Sequence, residues 1–284
     1  RIYRAVGEPA EKDGGRALGR ASGVCRSLWA FNEAGRVHVS VKRLTLTVPF
    51  PSVERVERVL GLSSDSKRKI SKEIETLWPT LLSIETNPLA LFTVFRIQKA
   101  EAQGESVLST DFEIVRGLWL EPRLPFPFNP EYAKAYYSLL IGLITLGSGL
   151  EDAASRAFAE GESLKGWLAD SLGTLMLRDA FSVFLERMSG EIEGELGPRY
   201  APGCPPLSLG AQKRIFELLG AAQAGMRLTK GSMIHPVKST TFVLGIGERR
   251  TAREPVPCRN CEHAALCYGG VFEENPKGVG GVMR

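Results

Sequence analysis

The spacing of apolar residues changes period several times along this chain, and each change marks an element. Residues 37–50 (VHVSVKRLTLTVPF) alternate apolar and polar positions and are rich in β-branched side chains, which predicts one or two half-buried strands. Pro49 and Pro51 end that run, because proline has no N–H to give to a ladder. Residues 52–60 predict a short helix, with Ser52 as its cap and Val53, Val56, Val59 and Leu60 as its apolar face. In residues 63–82, Ile70, Ile74, Leu77 and Leu81 share a helical stripe. Residues 89–97 and 107–115 read as strands around a polar turn at 100–105, and four prolines make 118–130 an extended connection.

Beyond Pro130 the apolar density rises. Residues 136–146 suit a buried strand. Residues 150–159 and 163–188 then read as helices. The longer one carries Leu164, Leu168, Leu172 and Leu175 on one line and Leu177, Phe181, Phe184 and Met188 on a neighbouring line. A short amphipathic helix at 212–219 and a strand at 240–246 complete the pattern. Strands and helices without strict alternation predict an α+β fold, an antiparallel sheet flanked by helices. The organisation expected is an N-terminal extension, partly strand, at 1–48; the α+β domain at 49–250; and a Cys-rich tail at 251–284. Residues 1–35, rich in Gly, Arg and Ala, have weak periodicity.

Composition narrows the function classes. With 43% hydrophobic and 24% charged residues, the 284-residue chain has the make-up of a water-soluble globular protein. Its longest apolar run, 136–146, is shorter than the roughly 20 residues needed to span a bilayer. The formal charge of +4 is spread among Glu and Asp rather than gathered into a basic face, which argues against nucleic acid as a partner. No signal peptide is visible, and five cysteines, an odd number, do not suit a disulfide framework; a reducing, cytoplasmic setting is expected.

Two constellations can carry chemistry. Three cysteines, Cys258, Cys261 and Cys267, fall within ten residues, close enough for their thiolates to converge on one soft metal or cluster. Three make an incomplete set for zinc or a cubane, so His263, Cys204 or Cys25 would supply a fourth ligand, or a position would stay open; reduced, unligated thiols are the plainer alternative. The other constellation is the loop 199–206 (RYAPGCPP). Its three prolines stiffen it, Gly203 allows backbone geometry or a close approach that a Cβ would forbid, and Arg199 at its entrance can hold a carboxylate bidentately. Asp179 interrupts the apolar line of Leu164, Leu168, Leu172 and Leu175. A carboxylate there needs a partner, either an arginine such as Arg178 or Arg187 or the amine of a ligand. His38 and His235 read as structural.

These residues carry a resemblance. An Arg-x-x-Pro-Gly loop (Arg199 to Gly203) leads into a helix with Gln212, Ile215, Phe216, Leu218 and Leu219. Leu228 and Thr229 follow, then a run with Met233, Pro236, Lys238 and Ser239. The order resembles the activation domain of cobalamin-dependent methionine synthase, and more closely the stand-alone activation-domain-like proteins of anaerobes. The likeness extends to residues 145–151 (TLGSGLE) and 168–173 (LADSLG), and covers roughly 49–270. The resemblance implies that Asp179, Arg199, Gly203 and Cys204 occupy the positions that bind S-adenosylmethionine. Cys204 stands where the family has an aromatic residue, and Lys230 where it often has an acid. It also implies a [4Fe–4S] cluster, with zinc as the other option, on Cys258, Cys261 and Cys267. Cobalamin would sit on the partner, a corrinoid protein or methionine synthase, with ferredoxin or flavodoxin as electron donor. The implied role is reductive reactivation of cob(II)alamin to methylcobalamin in a methionine synthase-type methyltransferase. The alternatives are a non-catalytic metal-stapled module for a corrinoid protein and an electron-transfer protein.

Overall fold

A computed structural model of the protein describes residues 29–31, 37–59, 64–103, 105–110, 136–197, 199–203, 207 and 209–247. The alternating and apolar stretches become β1 Trp29–Phe31, β2 Val37–Val39, β3 Lys42–Thr45, β4 Leu89–Gln103, β5 Glu105–Thr110, β6 Tyr136–Thr145, β7 Glu195–Leu196, β8 Arg227–Leu228, β9 Ile234–His235 and β10 Ser239–Gly247. The helical stripes become α1 Val53–Val59, α2 Ser64–Leu82, α3 Gly149–Ala159, α4 Ser163–Glu191 and α5 Ala211–Leu218, with a 3₁₀ turn at Ala221–Ala224. The class is α+β: an antiparallel sheet in the order β3-β4-β6-β10-β7, with β5 pairing β4 off that path. β3 comes from the segment read as an N-terminal extension, yet it pairs with Leu89–Phe92 of β4 in that sheet.

β6 lies between β4 and β10, with Ile141 opposite Thr93 on one side and Val243 on the other. Successive residues of a strand face opposite sides. Ala90, Phe92, Leu140, Ile144, Phe242 and Leu244 therefore meet the core formed with α1 to α4. Leu91, Phe95, Leu139, Ile141, Leu143 and Val243 meet a second core formed with α5 and the 3₁₀ turn. Burial on both faces explains why β6 reads as a continuous apolar run rather than an alternating one. Phe181 and Phe184 of α4 both meet Phe242 edge-on, with ring centroids 4.9 and 5.3 Å apart, and Phe184 meets Phe92 at 5.4 Å. Such edge-to-face contacts fix the seat of α4 on the sheet beyond what area burial alone would do.

One expectation is corrected. The two expected strands do pair, but the turn between them is shorter than 100–105. β4 continues through Gln103, and Ala100, Glu101, Ala102 and Gln103 pair with Leu108, Val107, Ser106 and Glu105. A ladder is built by backbone N–H and C=O groups, so polar side chains do not end it. The expected connection 118–130 and the tail 251–284 lie outside the described residues. Among the described residues no helix is long and apolar enough to cross a membrane.

Candidate functional site

The segments that carried the resemblance are far apart in sequence, and they meet at the start of β10. Lys238, 8% exposed, crosses to α4, where its Nζ lies 2.7 Å from Asp170 Oδ1 and donates to Thr174 Oγ1 at 3.0 Å. Its aliphatic stem lies on Gly173, where a Cβ would come within 2.9 Å of the Lys238 chain. Glycine at that point of a helix is therefore a matter of room for a neighbour. Glu151, in the first turn of α3, accepts the Val237 N–H at 2.5 Å, and its other oxygen lies 3.4 Å from His235 Nδ1. The Ser239 hydroxyl donates to the Pro236 carbonyl at 2.6 Å and lies 2.8 Å from Thr145 Oγ1.

The opposite face of the sheet is tied to the same place. Gln212, at the start of α5, accepts from the Thr241 hydroxyl at 3.1 Å and donates to the Ser232 carbonyl. Thr229 accepts the Met233 N–H at 2.9 Å. Thus Gln212, Thr229, Lys238 and Ser239, all members of the resembling motifs, hold polar contacts on the two faces of the sheet at the start of β10. Met233, 55% exposed, and Val237, 40% exposed, are carried outward by this clamped segment, while Ile234 is buried in the core with α5.

The loop 199–203 follows β7 along the side of β10 away from β6. Tyr200 exchanges both backbone hydrogen bonds with Val243, at 3.0 and 2.8 Å, and buries its side chain in the α5 core. Its neighbour Arg199 faces the other way. The Arg199 guanidinium donates from Nη2 to Thr240 Oγ1 at 2.9 Å and lies 4.9 Å from the centre of the Phe181 ring. Gly203 has φ +88°, in the left-handed region open to glycine, and its N–H donates to the Leu207 carbonyl at 3.0 Å, closing the turn. Cys204 lies outside the described residues.

Asp179 is placed elsewhere. Both its oxygens accept from Arg55 of α1, at 2.6 Å each, in a bidentate pair. The partner is thus neither Arg178 nor Arg187 but a residue 124 positions away, brought there by the packing of α1 on α4. Asp179 and Phe181 project about 200° apart around α4. The Asp179 carboxylate is held by Arg55 of α1, while the Arg199 guanidinium lies over Phe181. Arg55 and Thr240 were not visible as site residues in the sequence. Arg55 is one polar position on a short amphipathic helix, and Thr240 is an ordinary β-branched strand residue.

Two shallow clefts open between α2 and the α3–α4 hairpin, one beside Lys72, Thr76 and Leu164, the other beside Ile84, Gly149 and Arg156; neither includes Arg199, Gly203 or Asp179. Among the described residues no group of three or more His, Cys, Asp or Glu is arranged to hold a metal ion. Cys25, Cys258, Cys261, His263 and Cys267 lie outside the described residues.

No protein-family model matches the sequence, and no curated protein matches it. Among solved structures, the chain is similar to the crystal structure of the MetH reactivation domain bound to AdoHcy. The match has a TM-score of 0.49 and 13% identity, over 76% of this chain and 81% of that one.

Proposed function

We propose that this chain is an accessory protein for reductive reactivation of a corrinoid-dependent methyltransferase such as methionine synthase, with S-adenosylmethionine as methyl donor. The reading rests on the sequence resemblance. What supports it in the structure is the start of β10, where Thr145, Glu151, Asp170, Lys238 and Ser239 from separate motifs are linked by hydrogen bonds and ion pairs, and where the next residue, Thr240, accepts from Arg199. In this reading Arg199 meets the ligand's carboxylate, and the Gly203 turn lets the backbone approach it closely. Cys204 borders the same turn. Cys258, Cys261 and Cys267 hold a [4Fe–4S] cluster or zinc, and ferredoxin or flavodoxin supplies electrons. Cobalamin belongs to the partner. Asp179, committed to Arg55, would contact a ligand only after that ion pair opened.

The experiment is calorimetric titration of the full chain with S-adenosylmethionine. Arg199→Ala removes a charge-assisted pair to the carboxylate, and affinity is expected to fall by at least tenfold, on the order of 1.5–3 kcal/mol. Unchanged affinity in the variant would remove Arg199 from the site. No heat at millimolar ligand in the parent protein would sink S-adenosylmethionine binding altogether.

A second reading is favoured by two specific observations, Cys204 in place of the family aromatic and the Asp179–Arg55 pair. It is a non-catalytic metal-containing module that docks on a corrinoid protein, or passes electrons to it, without binding S-adenosylmethionine. Anaerobic purification followed by iron, zinc and acid-labile sulfide analysis bears on both readings. Iron and sulfide in equal amounts, lost together when Cys258, Cys261 and Cys267 are replaced by serine, is the expected result. Zinc alone would end the electron-transfer role.

A further inference from the structure

Proteins that bind a carboxylate with arginine must hold the guanidinium in one orientation, since its fork of donors is planar and rigid. In this chain groups from different elements meet the Arg199 guanidinium, two of them Thr240 and Phe181. Thr240, the second residue of β10, accepts from Arg199 Nη2 at 2.9 Å. Phe181, fully buried on α4 and packed edge-on against Phe242, presents its ring 4.9 Å from the guanidinium carbon. The β10 strand that carries Thr240 is also the strand that Tyr200 grips through its backbone, so the loop and its acceptor are tied to the same strand.

We propose that Thr240, seated opposite the Phe181 ring, is the positioning residue that aims Arg199 at the carboxylate of an amino-acid-bearing ligand. This inference rests on the function proposed above and adds a residue to it. Thr240 does not touch the ligand; it acts through Arg199. Removing its hydroxyl leaves the cation in place but unaimed, so affinity falls for ligands that present a carboxylate and stays the same for those that do not.

The test uses the full chain and two probes, S-adenosylmethionine and its decarboxylated form, which lacks the carboxylate but keeps the sulfonium and the adenosine. Thr240→Val keeps the size and branching of the side chain and removes only the hydroxyl. We expect affinity for S-adenosylmethionine to fall about tenfold and affinity for the decarboxylated form to change less than about twofold. Thr240→Ser, which restores the acceptor, is expected to return the first value to near that of the parent. A structural role for Thr240 would weaken both probes together, and that result overturns the inference. Equal S-adenosylmethionine affinity in parent and Thr240→Val, with Arg199→Ala impaired, also overturns it while leaving the role of Arg199 intact. Should the parent fail to distinguish the two probes, or fail to bind either, the function proposed for Arg199 falls instead. If Thr240→Val lowers the melting temperature, the doubly substituted Arg199→Ala/Thr240→Val protein decides. A positioning role predicts no further loss of affinity beyond Arg199→Ala, and an independent effect of Thr240 predicts additive losses.

Discussion

Replacing Gly149 by alanine should unfold this protein at a clearly lower temperature. A Cβ at position 149 would lie 1.9 Å from the Glu85 carbonyl oxygen and 3.2 Å from its carbonyl carbon. Both are backbone atoms, so no side chain can swing away to make room. The N-terminus of α3 or the turn after α2 must move, and either shift disturbs buried Leu150 and Leu81. Alanine is the better helix former, by about 1 kcal/mol in a helix interior. Overpacking against rigid neighbours costs about 1–3 kcal/mol and occasionally more, and here the contact is far inside van der Waals distance. The clash wins, by an expected net of about 2–3 kcal/mol. For a protein of this size that lowers the melting temperature by roughly 4–12 °C. Gly190, exposed near the end of α4, provides the control, because a Cβ there would meet nothing within 4 Å. Gly190→Ala should be neutral or stabilising by a few tenths of a kcal/mol, on the order expected from propensity alone. Thermal unfolding by circular dichroism separates the two, and equal melting temperatures for the two variants would refute the close approach at Gly149.

Gly142→Ala is the second large effect. Gly142 sits in β6 opposite Phe92 of β4 and Phe242 of β10, flanked by aromatic rings on both sides. A Cβ there would come 2.4 Å from Phe242 Cζ and 2.7 Å from Cε2. The ring cannot yield freely, because it is fully buried and packed against Phe181 and Phe184. The expected cost is about 3 kcal/mol, with the added strain of a disturbed α4 seat. Phe242→Leu alone leaves a partial cavity and should cost on the order of 1–2 kcal/mol. Combined, the small and the enlarged residue complement each other, so the double variant should lose at least about 1 kcal/mol less than the sum of the singles. Chemical denaturation of the four proteins measures this directly. Strict additivity would show that the Gly142–Phe242 contact is not what limits the site. The cycle also bears on function, because Phe181 is both a neighbour of Phe242 and the ring beneath Arg199. A disturbed Phe242 should carry through to the orientation of the guanidinium.

Much of the architecture was legible in the sequence. The stripe Ile70, Ile74, Leu77 and Leu81 marked α2, and the apolar run around Leu139 to Ile144 marked β6, because burial demands a periodicity that local sequence displays. The polar stretch 100–105 misled for a related reason. Side-chain polarity reports which face is wet, and a backbone ladder can run through polar residues without burying them. The site was legible in parts. Arg199 and Gly203 do form the entrance and the left-handed corner of one loop. The acid expected to face them is paired with Arg55, a partner chosen by the docking of α1 on α4.

By itself the sequence determined α1 to α5, β6, β10 and the α+β class, since periodicity, proline and glycine act over a few neighbouring residues. Only the tertiary structure decided which charges pair and which glycines need their emptiness. Arg55 meets Asp179 across 124 positions, Lys238 reaches Asp170 over the surface of Gly173, and Gly142 makes room for Phe242. Those choices follow from how the sheet and helices stack. No spacing along the chain records which surfaces will touch once the core has closed.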